Sequence, residues 1–383
     1  MEVSVLPKHF GVFRYQFFAQ NYASFLTIQT ARWIARLLPS PQVVEELARR
    51  AGRHKFPVII WDVKAVVYSQ YGSPDVLRLT DVPTPVPKDD EILIRIHAVS
   101  LNRSDWEVLT GTPAYARIGG LLKPGRAILG SDIAGRVEAV GRAHTEFKPG
   151  DDVYGDIMAT LGGFAEYVCT RGRNVVRKPE WMSYEQAATI PQAGVIAMRG
   201  ICVIGQVQSR ERVLINGGGG GSGMFAIQLA KLQRADVTAV DNGGKLDFMR
   251  AMGADHVIDY AREDFTTRGE QYDLILDLLA ERSVFAYARA LRTGGRYYAV
   301  GGALGTFLQI FLVAPWLTRS GGRRIRLLFA LPNKKDITAM AALCESGAVR
   351  VAIDRTYRLA EIPEALRYLG EGRAKGKVVI KIE

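Results

Sequence analysis

Six glycines and one serine fill the seven positions from Gly217 to Gly223. A glycine inside an element costs roughly 0.5–1 kcal/mol relative to alanine, so such a cluster implies a use. Gly218, Gly220 and Gly223 fit G-x-G-x-x-G, and Gly217, Gly220 and Gly223 fit G-x-x-G-x-x-G. A turn of this kind needs one glycine for a sharp bend, one for close approach of a pyrophosphate and one for helix–strand packing. The helix that follows offers free N–H groups and a partial positive charge to phosphates, with Gly221 and Ser222 among the candidate contacts. Asp241 stands eighteen residues after Gly223, where an acidic side chain can accept both ribose hydroxyls of an adenosine. No Lys-Ser or Lys-Thr follows the glycines, which argues against a nucleotide-hydrolysing loop. The chemistry these residues suit is dinucleotide binding; a flexible linker is the competing reading.

The flanking elements favour binding. Val213, Leu214 and Ile215 form the short apolar run of a buried parallel strand. Met224 to Leu232 is a helix-forming stretch without Gly or Pro. "DVTAV", "HVIDY", "YDLILDLL" and "GGRYYAV" then read as strands, with the helical "KLDFMRAMGA" after the first. Strands alternating with helices predict an α/β, doubly wound parallel sheet.

The 383 residues allow two domains, and 48% hydrophobic with 23% charged residues is ordinary for a globular chain. Three well-separated cysteines, Cys169, Cys202 and Cys344, argue against a disulfide framework and for a reducing, cytoplasmic setting. The formal net charge of +11 is uneven. Residues 1–62 carry eight Lys/Arg against four Asp/Glu, and residues 303–335 carry six Lys/Arg and no acid. The rest is nearly neutral, which counts against a nucleic-acid-binding face.

Before the doubly wound region, "EILIRIHAV" alternates apolar and polar residues, and "LGSDIAGRVEAVG" and "FKPGDDVYG" are short strands broken by glycine. This region is β-rich. The ordered set "YGSPDVLRLTDVPTP", "LGSDIAGRVEAVG", "FKPGDDVYG", "GGFAEYV", "NGGGGGSG", "GADHVIDY" and "GKVVI" resembles the zinc-free, quinone-oxidoreductase-like branch of the medium-chain dehydrogenase/reductases over about residues 62–383. The resemblance implies a GroES-like β-rich substrate domain (62–190), a Rossmann cofactor domain (191–330) and a C-terminal return to the substrate domain (331–383), after an N-terminal extension (1–61). It places the active site in the cleft between the domains. It also implies a homodimer paired through the last Rossmann strand, here "RIRLLFA".

The implied reaction is hydride transfer from NAD(P)H to a lipophilic quinone or activated, α,β-unsaturated carbonyl compound. Asn102 and Ser131 stand where zinc-dependent relatives place cysteine and histidine, and an amide and a hydroxyl are poor zinc ligands. No metal is therefore expected. An enone or quinone can spread the arriving charge onto oxygen, given hydrogen-bond donors and a proton source. The resemblance places Asn102 in the cleft, its amide able to donate to a substrate carbonyl; capping a turn is the other reading. It places Tyr115 where a phenol could bond or protonate the enolate, with Asp105 and Asp132 supporting the site from behind; a packed loop aromatic and local turn caps are the other readings. Lys245, Tyr260 and Gly301 complete the cofactor candidates. Asp241 disfavours a 2′-phosphate, so NADH is the expected cofactor, although Lys245 and Tyr260 stand near enough to hold that phosphate. Ile196 replaces a threonine frequent in relatives. A cofactor-binding scaffold or sensor, and a membrane- or RNA-associated protein retaining the fold, remain the alternatives.

Two segments lie outside these motifs. "FGVFRYQFFAQNYASFLTIQTARWIARLLPSP" is aromatic-rich, and arginines are its only charges. It suits a peripheral membrane contact or an organelle-targeting peptide, with a helix folded onto the protein core as the other reading. "TFLQIFLVAPWLTRSGGRRIR" joins an apolar block to arginines, and reads first as a cleft or dimer-interface loop and second as lipid contact.

Overall fold

The computed structural model describes residues 62–382. The expectations for the N-terminal extension, membrane attachment and targeting included, fall outside the described residues.

The β-rich lobe begins with β1 (Asp62–Val67) and β2 (Arg78–Pro83), which pair with each other. Its main sheet uses β3 (Glu91–Ser100), β4 (Asp132–Val140), β5 (Asp152–Asp156), β6 (Tyr167–Arg171) and β7 (Val175–Arg177). Between β3 and β4 lies helix α1 (Arg103–Thr110), closed by Gly111 at φ +64°, a conformation that suits glycine. Two helices, α2 (Tyr184–Ala188) and α3 (Pro191–Met198), lead to the second lobe.

That lobe holds β8 (Arg212–Asn216), α4 (Gly221–Leu232), β9 (Asp236–Asp241), α5 (Leu246–Ala251), β10 (His256–Asp259), β11 (Tyr272–Asp277), α6 (Val284–Ala290), β12 (Leu291–Ala299), α7 (Leu304–Gly321) and β13 (Arg324–Leu327). The strand order is β10-β9-β8-β11-β12-β13, and every pair is parallel. This is the dinucleotide-binding order, with its switch point between β8 and β11. Val213, Leu214 and Ile215 are fully buried because helices cover both faces. The stretch 306–326 is not a loop: it forms most of α7 and the following strand. Strand β13, from the segment expected to pair across a two-fold axis, is an edge of this sheet.

The chain then runs through α8 (Lys334–Glu345), β14 (Ile353–Arg358), α9 (Ile362–Gly370) and β15 (Lys377–Lys381). Strand β15 pairs antiparallel with β3, Val379 opposite Ser100, and parallel with β14. The last residues thus complete the sheet of the first lobe. One hydrophobic cluster runs from Ala98, Ala134 and Val379 of that sheet into Val213, Ile215 and Phe225 of the other lobe. Continuous packing across the junction fixes the two lobes on either side of the cleft.

Candidate functional site

Gly217 leaves β8 at φ +86°, and its N–H and that of Gly218 donate to the Val240 carbonyl (2.9 and 3.0 Å). Gly220 caps α4, whose first residue is Gly221. A Cβ on Gly223 would lie 2.3 Å from the Gly217 carbonyl oxygen, and one on Gly218 would lie 2.9 Å from the Ala239 Cβ. These two glycines allow close packing. Gly217, Gly220, Gly221 and Ser222 line a cleft of about 880 Å³, as do Asp241, Lys245, Tyr260, Ile196 and Gly301. The start of β15 leans on the loop: the Gly376 N–H donates to the Gly219 carbonyl (3.0 Å). A Cβ on Gly221 would lie 2.5 Å from Lys377 Cδ.

At the end of β9, Asp241 is largely buried at the edge of the cleft, and both its carboxylate oxygens already accept bonds. Its Oδ2 accepts the Gly219 N–H (3.0 Å), and its Oδ1 accepts the Asn242 N–H (2.8 Å). Lys245 Nζ lies 3.2 Å from Oδ1, and both side chains are less than one-tenth exposed. The lysine expected to be available to a phosphate is therefore held by its own neighbour. Tyr260 is half exposed, and its backbone N–H donates to the Asp241 carbonyl (3.2 Å).

Across the cleft, Asn102 opens α1, and Asp105 Oδ2 accepts its backbone N–H (2.8 Å). The Asn102 amide does not face the cleft as an available donor. Its Nδ2 donates to Asp132 Oδ2 (2.9 Å) and Ser131 Oγ (3.4 Å). Its Oδ1 accepts from Lys377 Nζ (2.6 Å). An ammonium only donates and a carboxylate only accepts, so the amide has one consistent orientation. Both its protons are committed, and the expected bond to a substrate carbonyl is replaced by this internal one.

Lys377 is the residue that motif reading passed over. It sits inside "GKVVI" and lines the cleft, yet its side chain is only 2% exposed. Its Nζ also donates to the Leu101 carbonyl (3.1 Å) and lies 3.8 Å from Asp132 Oδ2. Asp132 in turn accepts the Gln192 N–H (3.1 and 3.2 Å). Burial raises the pKa of Asp132 well above the ordinary carboxylate value, while Lys377 pulls it down. Burial also pushes Asp105 up to about 7 and Asp156 up to about 6. Burial lowers the pKa of Lys377, against the three carboxylates that favour its charge. A lysine opening an apolar strand was the available signal.

Tyr115 reaches from the first lobe to the second. Its hydroxyl lies 3.3 Å from Glu107 Oε2 and 3.3 Å from the Gly302 carbonyl. Its ring stacks on Phe307 at 5.4 Å. Both hydroxyl contacts are long, so an incoming oxygen can compete for that proton. Burial raises the pKa of Tyr115 and of Glu107, and the neighbouring Glu107 raises the phenol further. Glu107 lines the cleft and lies 3.5 Å from Arg103 Nε.

The donor set does not fit zinc. Asn102 is bonded to a lysine and an aspartate, and Ser131 adds only a hydroxyl. Among the described residues no group of three or more His, Cys, Asp or Glu is arranged to hold a metal ion. The glycine loop, the start of α4 and the adjoining cleft do fit a dinucleotide.

A family model described as a zinc-binding dehydrogenase matches residues 252–380, and one described as an alcohol dehydrogenase GroES-like domain matches residues 88–180. The sequence is 32% identical over 333 residues to 2-methylene-furan-3-one reductase of Solanum lycopersicum, covering 83% of this chain and 79% of that protein. It is 29% identical to the chloroplastic NADPH-dependent alkenal/one oxidoreductase of Arabidopsis thaliana, with the same two coverages of 83% and 79%. Among solved structures, the quinone oxidoreductase from Coxiella burnetii superposes with a TM-score of 0.73 at 29% identity, covering 84% of this chain and all of that one.

Proposed function

This chain belongs to the quinone-oxidoreductase-like branch of the medium-chain dehydrogenase/reductases, and on that premise we propose that it is an NAD(P)H-dependent oxidoreductase acting, without zinc, on a quinone or α,β-unsaturated carbonyl compound. The observation that carries the proposal is one cleft lined both by the glycine loop and by Asn102, Glu107 and Lys377. A dinucleotide bound there supplies the hydride. Gly220, Gly221 and Ser222 would hold its pyrophosphate at the start of α4, and Asp241 and Tyr260 would flank its adenosine. The apolar walls from Leu278, Val300, Phe329 and Leu331 suit a lipophilic acceptor. Followed by cofactor oxidation, a panel of quinones and enones should show turnover; binding of cofactor with no turnover of any member would favour the scaffold reading.

Tyr115 is the proposed proton donor. It is a neutral phenol with a proton to give, and burial, which raises its pKa, makes it a weaker acid than a free phenol. Asn102, Asp105 and Asp132 are proposed as positioning residues that fix the start of α1 and Lys377. Tyr115→Phe removes the hydroxyl and keeps the ring stack on Phe307. The variant should lose about a hundredfold in kcat, a typical general-acid contribution, with cofactor affinity unchanged. Retention of full kcat would remove Tyr115 from the chemistry.

The preferred cofactor is proposed to be NADH, because the Lys245 charge is already matched by Asp241. Asp241→Asn keeps an acceptor for the Gly219 N–H while releasing the lysine charge. The ratio of kcat/KM for NADPH to that for NADH should then rise about tenfold, as one ion pair's worth of interaction changes hands. A parent enzyme already favouring NADPH strongly would reverse the assignment.

A further inference from the structure

Helix α1 presents Arg103 and Glu107 one turn apart, and both line the cleft. Glu107 Oε2 lies 3.3 Å from the Tyr115 hydroxyl. Its Oε1 lies 3.5 Å from Arg103 Nε and would be 4.0 Å from a Cβ on Gly301, in the other lobe. The Glu107 side chain is 14% exposed and that of Arg103 is 50% exposed. The two therefore lead from the phenol towards the open side of the cleft. An Arg–Glu pair at this spacing with one partner in water adds little to stability, so stability does not account for a carboxyl in this position.

Proton transfer from Tyr115 gives Glu107 a task. When hydride reaches the β-carbon of an enone, the α-carbon must take a proton, and Tyr115 is left as a phenolate. Beside an ionised Glu107, that would place two negative charges 3.3 Å apart. The carboxylate accordingly raises the pKa of the phenol. Beside a protonated Glu107 the repulsion is absent. The carboxyl proton passes to the phenolate oxygen as the phenol proton passes to carbon. A carboxylic acid is stronger than a phenol, so this transfer runs downhill. One negative charge remains, on the carboxylate, where Arg103 faces it, and water in the cleft returns the proton before the next turnover. The Gly302 N–H donates to the phenol oxygen (3.4 Å) and holds it in place. Burial raises the pKa of Glu107, while Arg103 and the Tyr115 bond lower it. The other elements nearby bring no competing charge. Gly302 and Phe307 carry none. Helix α9, packed on α1, keeps Arg367 on Asp75 (2.8 Å), and Glu371 of the cleft wall pairs with Arg373 (2.9 Å).

Resting on the assignment of Tyr115 as proton donor, we propose that Glu107 resupplies the Tyr115 proton and that Arg103 faces the carboxylate this leaves. Steady-state kinetics with an enone acceptor test it across the parent, Glu107→Gln, Tyr115→Phe and the double variant. Glu107→Gln keeps the size of the side chain but has no acidic proton. Its kcat at acidic pH should fall about tenfold, less than the loss of the general acid itself, with KM for the cofactor unchanged. Parent kcat should decline as pH rises through the Glu107 pKa, because only the protonated form donates, and the glutamine variant should show no such decline. Arg103→Gln removes a cation that lowers this pKa, so it should carry the decline to higher pH. The double variant should be no slower than Tyr115→Phe, since Glu107 then has nothing to resupply. In the cofactor-free protein, ultraviolet difference spectra against the matching Tyr115→Phe protein should show the phenol titrating at lower pH in Glu107→Gln than in the parent. An unaltered kcat and pH profile in Glu107→Gln, or losses that multiply in the double variant, would overturn the relay and leave Tyr115 in its role. Full kcat in Tyr115→Phe would remove the donor, and the relay with it.

Discussion

Replacing Lys377 with methionine should lower the stability of the fold by about 3–5 kcal/mol, the usual cost of removing one partner of a buried charge pair. Methionine nearly matches the length of the stem that packs under Gly221 but cannot donate. The Leu101 carbonyl and Asn102 Oδ1 each lose a hydrogen bond, and Asp132 loses the cation that favours its ionised form. The sign of the pH dependence follows from the same groups. A carboxyl whose folded pKa is raised contributes stability that is present below its unfolded pKa and lost as pH rises through its folded pKa. Without Lys377, the folded pKa values of Asp105, Asp132 and Asp156 rise further, because each is lowered by that lysine. Removing the lysine also removes the penalty of burying its charge, a penalty felt most below its depressed pKa. Both effects make the deficit grow from acidic to alkaline pH. Denaturant melts at several pH values would show this; a deficit independent of pH would mean that the ammonium acts as packing alone.

Gly223→Val should weaken dinucleotide binding by about a hundredfold, the equivalent of the ~3 kcal/mol that overpacking can cost. The new Cβ would sit 2.3 Å from the Gly217 carbonyl oxygen and 2.5 Å from that of Gly218. Both are backbone atoms, so the loop itself must move, and with it the N–H groups at the start of α4. Gly305→Ala is the control, because a Cβ there meets nothing within 4 Å. Cofactor titration alongside thermal melting separates a displaced loop from a failed fold. Unchanged affinity in a folded Gly223→Val protein would place the pyrophosphate elsewhere.

The parts of this site legible in the sequence are those that backbone geometry dictates. Gly217 needs φ +86° and Gly223 needs absent Cβ volume, so the residue type itself records the constraint. The parallel, doubly wound character of the sheet likewise follows from strands alternating with helices. What the sequence hides is long-range polar pairing. Asn102 is found at the cleft, but its amide direction is set by Asp132 and Lys377, 30 and 275 residues away. Lys377 itself reads as a surface lysine until three buried carboxyls surround it. The stretch 306–326 misleads for another reason: apolar residues on both sides of α7 erase the 3.6-residue period that announces a helix. Lys245 stands four residues after Asp241, a spacing visible in the sequence, yet only the bend of the chain at Gly243 and Gly244 brings their charges within 3.2 Å.

Hydride transfer is proposed to take place in the cleft between the glycine loop and α1. It is tested most directly with cofactor deuterated at the hydride position and an α,β-unsaturated ketone as acceptor. Deuterium should appear at the β-carbon of the product, from one face of the nicotinamide only, and the α-hydrogen should come from solvent. A protein that binds the cofactor but yields no deuterated product with any enone, and no deuterium-sensitive oxidation rate with any quinone, would contradict it.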